Sequence, residues 1–348
     1  MTLRDEIFEQ PEALGRQLDS SGQALAALAG RLRAEPIDNV IIAARGTSDH
    51  AAIYAQYVLG VRNGLSVGLA TPSVVSLYGA APRMARSLVI GISQSGASPD
   101  VVSVVAAARR AGAPTLAITN EPSSPLAAEA ELLLDLAAGP ERSVAATKTY
   151  TTSLLAIVRI SLALDPDVGA AAAVEALPGV VAAALEAEPE VAAIARELAA
   201  ADDAFDRCVL VGRGFEYATA REWALKLKEL ARVFADPYSS ADFLHGPIAL
   251  VQPGIPVLVL APAGVPLAGQ LQLLRDLRER AVETVVVSDD TDALALGRWP
   301  IPLPAGTPEW LRPIVSIVLA QLFALHATLA RGLDPDEPRY ISKVTRTT

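Results

Sequence analysis

The chain has 348 residues, 51% of them hydrophobic, enough to bury a large core as two domains or one large α/β unit. Its net charge of -10 and pI near 4.9, with no local basic stripe, exclude nucleic acid as an expected partner. A single cysteine, Cys208, excludes an internal disulfide, and His50, His245 and His326 are too scattered for a metal site, so the expectation is a cytoplasmic protein with no metal and no cofactor.

The opening "MTLRDEIFEQPEALGRQL" is charged and amphipathic and lacks the apolar core of an export signal; helices are expected over 1–35. From 36 to 165 the apolar runs "NVIIAA", "LSVGLA", "SLVIGI", "PTLAIT" and "ELLLDL" alternate with helical segments such as 48–62 and 99–111. That alternation predicts a parallel sheet with right-handed crossovers, the first of two domains. An Ala/Glu-rich helical linker is expected over 166–202.

The pattern then restarts over 203–330: "RCVLVG", a helix from Phe215 to Arg232, "IPVLVLA", a helix over 267–279, "ETVVVSD" and a long helix over 309–330. The stretch 313–332 is the most membrane-like, but Ser316, Gln321 and His326 and its short length make it a buried core helix, so no membrane partner is expected. "VIIAARGTSDHAAIYAQY" lies over "CVLVGRGFEYATAREWAL" at a period of roughly 170 residues, far longer than a solenoid repeat. The predicted fold class is therefore α/β, two tandem domains, each a doubly wound, flavodoxin-like parallel sheet between helices, with a tail over 331–348.

The strand ending in Ile92 runs directly into Ser93, Gln94, Ser95, Gly96 and Ser98. A buried parallel strand needs no such cluster, whereas ligands in open parallel sheets bind at carboxyl ends of strands. Pro99 suits the first position of a helix with Ser98 as its cap, which aims free N–H groups at the same loop and suits an anion such as a phosphate monoester. Arg45, Gly46, Thr47 and Ser48 end the first strand alike, with Ser48 expected to cap the next helix. Ordinary turn and cap chemistry is the competing reading for both loops. The second copy has Ala261, Pro262, Ala263 and Gly264 in place of Ser93 to Gly96, so a single site in the first domain is expected. "GRGFEY" lacks the third glycine of a dinucleotide fingerprint.

On helix 215–232, Ala220, Trp223, Leu227 and Leu230 have core spacing, while Glu222, Lys226 and Glu229 share another face. By themselves Lys226 with Glu229 reads as a surface ion pair and Lys343 as a solvated chain end, while His245 in "FLHGP" reads equally as a capped turn histidine.

"RGTSDHA", "ISQSGASPD", "SVAATKTYTTSLLAI", "LKLKEL", "FLHGPIALV" and "DEPRYISKVT" together, in this order, resemble the sugar isomerase (SIS) domain family, above all the isomerase half of glutamine–fructose-6-phosphate aminotransferases. The resemblance runs from "DEIFEQP" to the tail; the glutaminase half is expected to be absent, since the chain starts Met1-Thr2-Leu3 and its cysteine is internal. It implies that Ser93, Gln94, Ser95, Ser98 and Thr47 hold a sugar phosphate, and that Ser48 and the backbone at Val144 hold sugar hydroxyls. It implies Glu229 as the base moving a proton between C1 and C2, with Lys226 beside it on the hydroxyls. His245 would assist ring opening in the partner subunit's site, and Lys343 would form a Schiff base under the tail. Glu141 and Lys148 are rim residues without an assigned role. Ala97, Ala146 and Leu244 stand where the family has glutamate, serine and lysine. The resemblance implies a homodimer with shared sites acting on amino sugar 6-phosphates, as a glucosamine-6-phosphate deaminase or isomerase, with release of ammonia as the expected direction. A fructosamine-6-phosphate deglycase and a non-catalytic sugar-phosphate sensor are the alternatives.

Overall fold

The structure is a computed structural model that describes residues 2–200 and 205–343. The boundary expected at 202/203 and the last five residues of the expected tail lie outside them. Two compact units share the chain and neither is continuous. One comprises Glu9–Arg142, Lys148–Glu175 and Ser342–Thr348; the other comprises Met1–Phe8, Ser143–Thr147 and Ala176–Ile341.

After α1 (Leu3–Phe8), which belongs to the second unit, the first unit runs α2 (Gln10–Ser20), α3 (Gly22–Ala34), β1 (Asn39–Ala43), α4 (Thr47–Asn63), β2 (Ser66–Leu69), α5 (Ser73–Ser76) and β3 (Ser87–Ile92). It continues with α6 (Pro99–Arg110), β4 (Thr115–Thr119), α7 (Pro125–Glu129), β5 (Leu132–Asp135), α8 (Lys148–Leu164) and α9 (Val168–Glu175). All strand pairs are parallel, in the order β2-β1-β3-β4-β5. β3 and β4 are buried at every position, which is why their sequences read as unbroken apolar runs. Gly91, in mid-strand, has a packing reason. A Cβ there would lie 2.7 Å from Leu126 Cδ1 and 2.8 Å from Val105 Cγ2, so only glycine lets α6 and α7 pack this close to β3.

The second unit continues with α10 (Leu177–Leu185), α11 (Glu188–Ala200), β6 (Arg207–Gly212), α12 (Glu216–Lys226), β7 (Phe234–Ser239), α13 (Ser240–Leu244) and β8 (Val257–Leu260). It ends with α14 (Leu267–Glu279), β9 (Thr284–Ser288), α15 (Thr291–Leu296), β10 (Trp299–Pro302) and α16 (Arg312–Ala330). Its sheet, also parallel, has the order β10-β9-β8-β6-β7. Numbered from its own first strand, this is again 2-1-3-4-5, the flavodoxin-like order, so the duplication read from the sequence is a duplication of topology. In each sheet the chain order reverses between the first and third strands: β1 and β3, then β6 and β8.

Three local expectations are corrected. The helix expected unbroken from Phe215 to Arg232 stops at Lys226 and continues as one π turn, Leu227–Ala231, closed by Arg232 in the left-handed region at φ 56°. β7 and β10 were not foreseen. Ser48 is not a cap: α4 starts at Thr47, and Gly46, at φ 56° and ψ -129°, holds the cap position in a conformation closed to side-chain-bearing residues. α16 is the core helix its composition suggested, 83% buried over Glu309–Ala330. A second stretch, Val168–Leu185, has the same mean hydropathy of 1.8 and is 28% buried.

Candidate functional site

At the first switch point, β3 delivers the chain into Ser93–Ser98 before α6 begins. Gly96 makes the turn, with φ at 59°, and a Cβ on it would fall 2.0 Å from Ser124 Oγ. Both the backbone conformation and the close approach therefore demand glycine. The Gly96 N–H donates to Ser93 Oγ (3.2 Å) and the Ala97 N–H to Ser95 Oγ (3.3 Å), which points the hydroxyl hydrogens of both serines to other acceptors. Ser93 is buried, whereas Gln94, Ser95 and Ser98 are half-buried. Ser98 holds the cap position of α6 and Pro99 its first turn, but the Ser98 hydroxyl makes no capping bond.

The loop after β1 lies on the other side of the same reversal, with Thr47 and Ser48 half-buried in the first turn of α4. Arg45 joins the two loops. Its Nε donates to Asp100 Oδ2 at 2.7 Å, and Asp100, buried in the first turn of α6, accepts its neighbour Val101 N–H through Oδ1 at 2.9 Å. The sequence marked Arg45 only as part of the loop ending the first strand and did not mark Asp100, which reads as a routine charge in the first turn of a helix.

Beside Gln94 and Ser95 opens a cleft of about 720 Å³, walled by Asn120 and Glu121 after β4, by Asp135 and Glu141 at and after β5, and by Lys343. Glu141 is buried. Its Oε1 accepts the Thr149 N–H (3.0 Å), its Oε2 accepts the Thr149 hydroxyl (2.7 Å), and the Lys343 ammonium donates to Oε2 at 2.6 Å. Lys343, which by itself reads as a solvated end, thus lines the same cleft as Gln94 and Ser95; Ser93, Ser98, Thr47 and Ser48 do not line it. Lys148, the other rim residue, is buried and paired with Glu9 at 2.5 Å.

The second switch point is closed. The pocket lined by Arg213, Glu216, Pro262, Gln270 and Glu309 holds about 10 Å³. Its backbone donors are already taken: the Ala263 N–H donates to Asp289 Oδ1 (2.7 Å) and the Val265 N–H to Glu309 Oε2 (2.9 Å), while Arg312 bridges Asp289 at 2.7 Å. A Cβ on Gly264 would meet Glu309 Oε2 at 2.5 Å, so the plug is closely fitted. Glu216 lies behind it, hydrogen-bonded by the Ser316 hydroxyl at 2.7 Å; burial pushes its carboxyl up to about 7.

In the same unit, the π turn presents Glu229. Lys226 Nζ lies 2.6 Å from Glu229 Oε2 and 3.3 Å from Glu222 Oε1; Lys226 and Glu222 are fully buried and Glu229 is about a quarter exposed. Burial alone would lower the Lys226 pKa, but the two carboxylates outweigh it and raise it, so the ammonium stays charged. This is a buried triad with one accessible carboxylate, and not a surface ion pair. His245 follows α13 and is exposed, its N–H donating to Asp242 O. Val144 is half-buried in a segment fixed by the Ser143 N–H on the Glu6 carboxylate.

Two tandem doubly wound sheets, one with an open polar switch point and one with its switch point plugged, define a duplicated doubly wound α/β scaffold. The chain belongs to the SIS domain family, whose profile matches residues 35–162 and 205–331. It is 34% identical over 343 residues to the glutamine–fructose-6-phosphate aminotransferase [isomerizing] of Pyrococcus horikoshii, covering 97% of this chain and 56% of that protein. The chain thus spans a little over half the length of the curated relatives it matches. Among solved structures, a proposed phosphosugar isomerase from Silicibacter pomeroyi DSS-3 is 35% identical with a TM-score of 0.85, covering 97% of this chain and all of the other. The C-terminal domain of the Francisella tularensis glucosamine-fructose-6-phosphate aminotransferase is 25% identical with a TM-score of 0.84, covering 97% of this chain and 98% of that one.

Proposed function

We propose that the protein is a sugar-phosphate isomerase-type enzyme acting on amino sugar 6-phosphates, a glucosamine-6-phosphate deaminase or isomerase of the cytoplasm. The observation that carries this reading is the open cleft beside Gln94 and Ser95 in one repeat against the self-filled switch point in the other. In this reading Ser93, Gln94, Ser95, Ser98 and Thr47 bind the phosphate through neutral donors, and Ser48 and the Val144 backbone bind sugar hydroxyls. Glu229 takes the C2 proton and returns it at C1, converting an aminosugar to an imine that water hydrolyses to ammonia and a ketose phosphate. Lys226, 2.6 Å from Glu229 Oε2, positions the base and binds sugar hydroxyls, His245 assists ring opening, and Lys343 forms an imine with the keto sugar.

An ammonia-coupled assay on glucosamine 6-phosphate tests it. Wild type should release ammonia, and Glu229→Gln should bind the sugar phosphate almost unchanged while losing about two to four decades of rate, the usual worth of a positioned base. The variant should fold normally, because Lys226 retains Glu222 as a partner. The roomy cleft also favours a second reading, a fructosamine-6-phosphate deglycase with a larger amine on the sugar; turnover of that substrate without turnover of glucosamine 6-phosphate would select it. No turnover of either would leave a sugar-phosphate sensor.

The proposal includes a homodimer with shared sites, with His245 serving the partner subunit. Its exposure in this chain suits that role. Inactive His245→Ala and Glu229→Gln chains, mixed, should regain part of the activity through hybrid dimers; a monomer by sedimentation, or no regain, would end the idea.

A further inference from the structure

The Lys343–Glu141 contact joins residues 202 apart in sequence, and the carboxylate at its centre is unusually well fixed. Glu141 is buried and anchored by both the N–H and the hydroxyl of Thr149, at the start of α8, so its position is set by a 17-residue helix. The other charged groups facing the cleft have their own partners. Arg16 donates to Glu9 Oε1 and to the carbonyls of Ala137 and Ala138, Glu121 accepts from Ser123, and Asp135 accepts the Ala137 N–H. Among these carboxylates Glu141 is the one bonded to the lysine. A long side chain near a chain end loses much rotamer freedom when fixed, and a buried, helix-anchored acceptor is what offsets that loss.

We propose that Glu141 is the positioning residue for Lys343: it holds the amine in the cleft beside Gln94 and Ser95 and accepts its proton for imine formation. The proposal rests on the reading of Lys343 as the imine-forming lysine. The Lys343 ammonium passes one proton to Glu141, and the amine lone pair adds to the carbonyl carbon of a keto sugar phosphate. A nitrogen proton moves to the new alkoxide; the resulting hydroxyl takes the proton from Glu141 and leaves as water. One ammonium and one carbonyl thus become one protonated imine and one water.

Borohydride trapping with fructose 6-phosphate, located on the chain by mass spectrometry, tests this on the full chain. Wild type should be trapped at Lys343. Glu141→Gln should bind fructose 6-phosphate within a few-fold of wild type by calorimetry yet trap about a hundredfold more slowly at neutral pH, the scale of a misplaced reacting group. Raising the pH should restore much of its trapping, because solvent then removes the proton; a purely structural defect would not respond. Glu141→Asp, which keeps the carboxylate, should trap at an intermediate rate and provides the test should Glu141→Gln fold poorly. Trapping of either variant at the wild-type rate overturns the role of Glu141 alone. A wild type that is never trapped at Lys343 overturns the reading of Lys343 and the proposal with it.

Discussion

Gly96 concentrates the demands of the site in one residue. Its positive φ admits an L side chain only with strain of about 1–3 kcal/mol, and Ser124 fills the space where a Cβ would go. Gly96→Ala should therefore abolish sugar-phosphate binding by displacing the Ser93 and Ser95 hydroxyls. The double variant Gly96→Ala/Ser124→Gly removes the collision but not the strain, so calorimetry should show partial recovery; full binding by Gly96→Ala alone would refute this account of the loop. Glu216 makes a different prediction. Its carboxyl, raised to about 7 from 4.5, binds a proton in the folded state that the unfolded chain has released between those values. Stability from this group is present below the unfolded value and is lost as pH rises through 7, by about 3 kcal/mol at most. Thermal melts from pH 5 to 8 should fall for wild type and flatten for Glu216→Gln; identical slopes would contradict a buried carboxyl whose desolvation outweighs its hydrogen bonds.

At the scale of elements, the buried strands were legible because a strand covered on both faces leaves no room for polar positions: β3, β4, β8 and β9 are buried throughout. β7 and β10 were not, because they are edge strands interrupted by proline, unlike the edge strands β2 and β5. "FADPYS" and "WPIP" show alternating or mixed burial and carry Pro237, Pro300 and Pro302, which only an edge tolerates and which in a sequence argue against a strand. The π turn left no sequence signal, since Leu227 and Leu230 stay buried as an α-helix would place them. Such turns recur at functional sites, and this one carries Glu229. The serine loop was legible as a polar cluster that a strand end does not need. Its partners were not: Glu141 meets Lys343, and Asp289 and Glu309 reach Ala263 and Val265, only through contacts far apart in sequence.

Across the whole molecule, duplication followed by divergence gave two sheets of one topology and unequal switch points, one open and one filled. The second copy keeps the loop N–H groups that an anion would use and fills them with its own carboxylates, which Arg312 neutralises in part. A carboxylate already accepting those hydrogen bonds is an internal substitute for an anion, and a phosphate would have to displace it against charge repulsion. The first copy has no such substitute at Ser93–Ser98 among the described residues. We therefore propose one sugar-phosphate site per chain, in the first repeat. Isothermal titration of the full chain with glucosamine 6-phosphate, alongside Ser93→Ala/Ser95→Ala, should give a stoichiometry of one per chain that disappears in the double variant; two equivalent sites, or binding that survives the two substitutions, would refute a single site in the first repeat.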